Sequence, residues 1–188
     1  MNESRASLIA AIVAAISAVL AAGIAAYSAY SVGAAQERFA ERQAGADFLA
    51  ERLTNLYVPV SMHLVATKAL FDRFGEANVS AAEKTALEHE LRFHNNEIKR
   101  ILLESSVYAV PSHGSSPGAD QLLSDLLEHL VQWETVYKMK YEYKVYEGPV
   151  FAGIKEFGFR GFPEGADAYF HTTETQLRQK LHELRRLD

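Results

Sequence analysis

The stretch between Arg5 and Glu37 contains no charged residue, and it constrains the fold more than any other part of this 188-residue chain. Within it, residues 8–32 carry only aliphatic, Ala, Gly, Ser and Tyr side chains. A helix of about 25 residues rises roughly 37 Å, which exceeds the hydrocarbon thickness of a bilayer, about 30 Å. The sequence therefore predicts an N-terminal tail and transmembrane helix over residues 1–35.

The span has a bulky face and a small face, because its large side chains recur at three- and four-residue spacing. Small residues allow helix backbones to approach closely in lipid. A single span has no second span in its own chain to pack against. We therefore predict a homo-oligomer in which the spans of several copies associate. The predicted packing face consists of Ala14, Ala18, Ala22, Ala25 and Ala29.

A cleaved signal peptide is the alternative interpretation of this segment, with the small residues at 32–34 as the processing site. Against it, Glu3 offsets Arg5, and the apolar run is longer than the roughly 7–15 residues of a signal peptide. Arginine is more frequent on the C-terminal flank, at Arg38, Arg42 and Arg52. The positive-inside rule then predicts a single-pass protein of the cell inner membrane with a cytoplasmic C-terminal domain.

Beyond the span, the apolar residues follow helical periodicity. We predict an all-α fold in which the transmembrane helix continues into a juxtamembrane helical stalk over residues 36–56. An antiparallel bundle of about four helices follows over residues 57–188. Pro59 suits a first helical turn, Gly75 suits a helix end, and Ser80 with Glu83 forms a capping box. Periodicity stops between Glu142 and Phe162, where we expect irregular chain or a short extended piece.

Three short segments carry a resemblance. Leu56-Tyr57-Val58-Pro59-Val60 resembles the start of the helical domain in small uncharacterised bacterial single-span membrane proteins. Residues 96–104 and Phe162-Pro163 are similar to that group as well. The resemblance covers the domain from Leu56 onward and implies a membrane-tethered helical architecture. It implies no activity, because that group has none to transfer.

Catalytic motifs are weak in this sequence. Residues 114–118 match G-x-S-x-G, but an elbow nucleophile requires a preceding strand and an α/β sheet, and here Pro117 follows Ser116 directly. A membrane-bound hydrolase would need an imidazole beside Ser116, such as that of His113. The seven histidines form neither H-E-x-x-H nor Glu-x-x-His. We therefore expect no enzyme, no catalytic residue, no metal and no cofactor.

His63 and His94 each lie on the apolar stripe of a predicted helix, and Thr67 lies one turn beyond His63. Buried imidazoles need hydrogen-bond partners. We interpret the two histidines as a polar pair within the core; the alternatives are a ligand or pH-sensing pocket and a metal site. The neighbouring carboxylates of Glu88 with Glu90, and of Glu134 with Glu142, are interpreted as solvated helix faces.

Residues 137–162 interleave aromatic rings with cations, a combination that can stack a base and hold a phosphate. Glu142, Glu147 and Glu156 dilute the positive charge. Alternatively, the aromatic rings cover the open end of the bundle and the lysines form its solvated rim. The candidate ligand-binding residues are Tyr137, Lys138, Lys140, Tyr141, Lys144, Lys155 and Arg160.

The predicted function is a non-enzymatic membrane protein whose cytosolic bundle senses or binds something and whose span self-associates. The expected partners are the membrane, further copies of the chain, and a protein partner or small nucleotide. The net charge of −5 gives no reason to expect double-stranded DNA. The alternatives are a defence-type effector that responds to a ligand or nucleotide and disrupts the membrane, and the hydrolase.

Overall fold

The computed structural model describes the backbone of residues 3–109 and 118–186, and the side chains of residues 22, 23, 25–109 and 118–186. Throughout these ranges the regular structure is helical, with no strand, which confirms the all-α class. The elements are α1 (Glu3–Arg52), a π-helical turn (Leu53–Tyr57), α2 (Val58–Phe74), α3 (Ala81–Glu104), α4 (Ser106–Ala109), α5 (Ala119–Tyr141), α6 (Val150–Glu156) and α7 (Ala166–Arg186). Beyond the π-helical turn the described chain thus has four long helices and the short helices α4 and α6.

The chain divides into two compact units, residues 1–47 and residues 48–188. The first unit is helical and belongs to α1. Over the residues that the structure describes, no helix has both the length and the hydropathy that crossing a bilayer requires. Most side chains of the predicted span, including Ala14 and Ala18, lie outside the described residues. Ala22, Ala25 and Ala29 are exposed in the single chain.

The second unit begins within the predicted stalk, whose last residues are part of its core. Leu49, Leu53 and Leu56 are all buried, the last completely. Arg52 is also buried; its Nε donates a hydrogen bond to the carbonyl oxygen of Tyr108 at 2.9 Å. The end of α1 is therefore an integral part of the helical unit from residue 48 onward.

The π-helical turn has a local cause in Pro59. A proline ring clashes with the carbonyl group four residues earlier and offers it no N–H, so an ordinary α-helical turn is disfavoured there. That carbonyl belongs to Asn55, and it accepts a hydrogen bond from the Ser105 hydroxyl at 3.0 Å. The turn widens instead, and the N–H of Val58 donates to the carbonyl of Leu53, five residues back. Pro59 thus lies in the first turn of α2, as the sequence predicts.

Helices α2 and α3 are antiparallel, because residues late in α2 contact residues early in α3 and earlier residues of α2 contact later ones of α3. Between α2 and α3, Arg73 pairs with Glu83 at 2.7 Å and His63 meets His94 at 2.8 Å. Gly75 ends α2, and the Ser80 hydroxyl accepts a hydrogen bond from the N–H of Glu83 at the start of α3. Both boundaries confirm the sequence prediction.

The unit has two apolar clusters. The larger surrounds the π-helical turn and includes Leu56, Tyr57, Val60, Leu126, Leu130 and Phe170. The smaller joins α3, α5 and α6 through Leu91, Trp133, Val136, Tyr137, Val150 and Ile154. Gly153 lets α6 approach α5 closely, because a Cβ at this position would overlap the side chain of Val136. The irregular or extended chain expected between Glu142 and Phe162 therefore contains a helix, α6, held by these contacts.

Candidate ligand-binding cleft

The cations predicted to bind a ligand are mostly paired with carboxylates. Lys138 lies 3.6 Å from Glu134, and Lys140 lies 2.7 Å from Glu88. Arg160 pairs with Asp125 and, at 3.6 Å, with Glu128. Among the predicted cations, only Lys144 and Lys155 have no carboxylate partner in the described part of the chain. Lys144 is exposed, whereas Lys155 lines the cleft described below.

Of the two predicted tyrosines, Tyr137 is buried and Tyr141 is half-buried against the smaller apolar cluster. Tyr137 is 3% exposed, and the guanidinium of Arg92 lies over its ring, 4.4 Å from the centroid. The hydroxyl of Tyr141 donates a hydrogen bond to Glu88 Oε2 at 2.7 Å. The structure therefore spreads the predicted residues over separate ion pairs and the smaller apolar cluster, and does not join them in one surface.

Glu88 is the clearest correction to the sequence interpretation. It was predicted to lie on a solvated face, but its side chain is 1% exposed. One carboxylate oxygen accepts hydrogen bonds from Lys140 and Tyr141, and the other accepts one from the N–H of Val150 at 2.8 Å. Burial opposes the charged form of Lys140, but the hydrogen bond and charge of Glu88 outweigh it and raise the pKa of Lys140. Glu88 thus fixes the end of α5 and the start of α6 to α3.

His63 and His94 lie in direct contact, with their Nδ1 atoms 2.8 Å apart. Both are half-buried, so the pair lies at the edge of the core and not within it. Burial, and then the neighbouring imidazole of His94, lower the pKa of His63, which favours the neutral form of His63. In the described part of the chain, no group of three or more His, Asp or Glu residues could hold a metal ion.

A cleft of about 760 Å³ opens between α2, α3, α5 and the segment that runs from α6 to the start of α7. This volume lies within the range of roughly 300–1,000 Å³ typical of small-molecule sites. Burial of apolar ligand surface against such a lining contributes roughly 25 cal/mol per Å². The apolar walls are formed by Leu64, Phe71, Leu91, Trp133, Phe151, Ile154, Phe159 and Phe162.

Three uncharged polar side chains also line this cleft: Thr67, Asn95 and His129. The Thr67 hydroxyl is buried and has no hydrogen-bond partner among the described residues. Asn95 is 5% exposed, and its amide makes no hydrogen bond within the described ranges, although, unlike the Thr67 hydroxyl, it is not completely shielded from solvent. The Nδ1 of His129 lies 3.1 Å from the carbonyl oxygen of Arg160, so it donates there and leaves Nε2 as an acceptor. Burial lowers the pKa of His129, which keeps the ring neutral near pH 7.

Sequence reasoning missed Asn95 and His129 as site residues. A signal for Asn95 was present, because positions 88, 91, 95, 98 and 102 follow the three- and four-residue spacing of a buried helix face. Glu88 and Asn95 therefore share that face with Leu91, Ile98 and Leu102, all of which are buried. The same signal was present for His129, because positions 126, 129, 133 and 136 have this spacing and Leu126, Trp133 and Val136 are all buried. What the spacing does not show is its partner, the distant carbonyl of Arg160.

The hydrolase candidates Ser116 and His113 lie outside the described residues, so the structure places neither of them. The chain matches no protein-family profile, no curated protein and no solved structure.

Proposed function

We propose that this protein is a non-enzymatic sensing module, tethered to a membrane, whose helical unit binds a small ligand in the apolar cleft. The observation that carries the proposal is the combination of aromatic walls with the buried Thr67 hydroxyl, which has no hydrogen-bond partner among the described residues, and the neighbouring Asn95 amide. Unsatisfied buried polar groups are rare in folded proteins and disfavour the empty state. A ligand that supplies the missing hydrogen bond relieves this penalty.

The ion pairs of residues 137–162 argue against the nucleotide alternative. A nucleotide needs cations that are free to bind phosphate, whereas Lys138, Lys140 and Arg160 face carboxylates. Of the predicted cations, this leaves one lysine at the cleft without a carboxylate partner among the described residues, Lys155, and it is exposed to solvent. The mainly apolar cleft lining is better suited to a molecule without phosphate.

Occupancy of the cleft can be measured directly, because Trp133 is the one tryptophan of the chain and lines the cleft. Bromine quenches tryptophan fluorescence on contact. We expect 4-bromophenol to quench Trp133 saturably, with half-saturation near 1 mM, an affinity of roughly the size expected for so small a molecule. The measurement uses the full chain in phosphatidylcholine vesicles, with the free probe concentration determined in each sample.

Gly161 offers a matched control for this titration. It lines the cleft, and a Cβ added there meets no atom within 4 Å, so the first atom of a side chain has open space at this position. Gly161→Phe should weaken saturable quenching several-fold by occupying part of the cleft, whereas Gly161→Ser should leave it nearly unchanged. Quenching that rises linearly in the unmodified protein, as for free tryptophan, would contradict a binding site.

The membrane tether remains part of the proposal, supported by the uncharged residues 6–36 and the small face of the predicted span. Ala18→Ile combined with Ala22→Ile should raise the monomer fraction several-fold in mild detergent, because bulky side chains separate helix backbones. Sedimentation of the detergent-solubilised chain measures this. Val13→Ile with Val19→Ile enlarges the opposite, bulky face and should leave the oligomer intact. If the protein with both Ala18→Ile and Ala22→Ile forms the same oligomer as the unmodified protein, the small face is not an interface.

A further inference from the structure

The polar groups of the cleft define one kind of complementary chemistry. The Asn95 amide and the Thr67 hydroxyl can each donate and accept a hydrogen bond, and neutral His129 retains an acceptor nitrogen. None of the three carries a charge near neutral pH. Their natural partner is a neutral group that both donates and accepts, such as a hydroxyl or a carboxamide.

The charged residues at the rim of the cleft argue against an anionic ligand. Lys68 lies 3.2 Å from Asp72 in an exposed ion pair and is thereby partly neutralised. Lys155 has no carboxylate partner among the described residues, but it is exposed to solvent, and the lining of the cleft carries three carboxylates (Asp72, Glu164 and Asp167) against two lysines. An ionised ligand would therefore lose its hydration without gaining a buried counter-charge, which is unfavourable in an apolar site.

The walls favour an aromatic ring over an alkyl chain. Phe151 packs edge-to-face against Phe71, with ring centroids 5.2 Å apart, and Trp133 lines another side of the cleft. Aromatic rings gain additional energy from edge-to-face and offset-stacked contacts beyond the burial of their area. We propose that the cleft binds a small, neutral aromatic molecule that carries one hydroxyl or carboxamide group, bound through Asn95 and Thr67. This inference rests on the proposed function of the cleft and specifies its ligand class.

Three probes with the same brominated ring separate the ligand classes: 4-bromophenol, bromobenzene and 4-bromobenzoate. They differ in carrying a neutral hydroxyl, no polar group or a negative charge. With Trp133 quenching of the full chain as the readout, we expect 4-bromophenol to bind about fivefold more tightly than bromobenzene, since one neutral hydrogen bond contributes about 1 kcal/mol. We expect 4-bromobenzoate to bind more weakly than either.

Two variants test whether Asn95 and Thr67 are the residues that hydrogen-bond the hydroxyl of 4-bromophenol. Asn95→Leu should reduce the difference between 4-bromophenol and bromobenzene to less than about threefold while bromobenzene still binds. Thr67→Val preserves side-chain shape, so it should fold even where Asn95→Leu does not, and it should reduce the same difference several-fold. Asn96→Leu is the matched control, because Asn96 neighbours Asn95 on α3 but does not line the cleft.

The outcomes distinguish this inference from the proposed function. Equal saturable binding of 4-bromophenol and bromobenzene, or tighter binding of 4-bromobenzoate, would overturn the ligand class and leave the cleft as a binding site. If 4-bromophenol still binds more tightly than bromobenzene by the same factor in both the Asn95→Leu and the Thr67→Val proteins, Asn95 and Thr67 are not the residues that bind the hydroxyl. Absence of saturable quenching by all three probes would overturn both the ligand class and the proposed function.

Discussion

Glu88→Ala is expected to lower the free energy of unfolding by about 2–4 kcal/mol, because removal of one partner leaves a buried charge and its hydrogen-bond donors unsatisfied. The carboxylate accepts hydrogen bonds from Lys140, Tyr141 and the N–H of Val150. Lys140 is 19% exposed and can partly turn toward water, so the loss should fall below the upper limit for a fully buried pair. The N–H of Val150 has no such freedom.

Chemical denaturation of the full chain, followed by far-ultraviolet circular dichroism, measures this loss. Glu90→Ala is the matched control: the same substitution, on the same helix, at an exposed position. It should change the free energy of unfolding by less than about 0.5 kcal/mol. Glu88→Gln should lie between the two, since it retains an acceptor but not the charge. Equal stabilities of the Glu88→Ala and Glu90→Ala proteins would show that the buried carboxylate does not hold α3, α5 and α6 together.

Phe170→Ala should have the largest effect on the larger apolar cluster, a loss of about 3–5 kcal/mol, as is typical when a buried aromatic ring is removed from a core. Phe170 is fully buried at the start of α7. Its ring lies 5.7 Å from that of Tyr57 in the π-helical turn and 5.4 Å from that of Tyr169. The substitution would leave a cavity and remove the packing contact between α7 and the π-helical turn that precedes α2.

Amide hydrogen exchange adds regional information to the unfolding measurement. In the Phe170→Ala protein, protection should fall most in α7 and in the π-helical turn, and less in α3. His171→Ala removes the next side chain, which is exposed, and should leave both stability and exchange nearly unchanged. Uniform loss of protection across all helices would indicate that α7 has no separate docking step.

Sequence alone predicts the features of this fold that depend on neighbouring residues. Pro59 lies in a first helical turn, Gly75 ends α2, and Ser80 caps α3, because each of these is a local backbone preference. The stripe of Leu91, Ile98, Ile101 and Leu102 is buried as its spacing predicts. These signals need no knowledge of which helix packs against which.

The features that sequence does not reveal depend on partners far along the chain. Glu88 is buried because α5 and α6 supply donors more than fifty residues later, and no local pattern shows those donors. Helix α6 is short, and short helices are marginal without tertiary contacts. It forms where Gly153 allows close approach to Val136 and where Glu88 accepts a hydrogen bond from its first N–H group. The cleft depends on the same long-range arrangement.

The π-helical turn also sets the rotational phase between the last turn of α1, from Phe48 onward, and α2. Each residue of an α-helix turns by about 100°, and a π-helical turn holds more residues than an α-helical one. The side chains after the π-helical turn are therefore out of register with the 3.6-residue periodicity of those before it. The core nevertheless contains apolar residues from both sides of the turn: Leu49 in α1 and Leu53 at the start of the turn, and Val60 and Leu64 in α2. A one-residue deletion within 53–57 would rotate one of these pairs away from the core, whereas a surface loop such as 75–80 can absorb the same change.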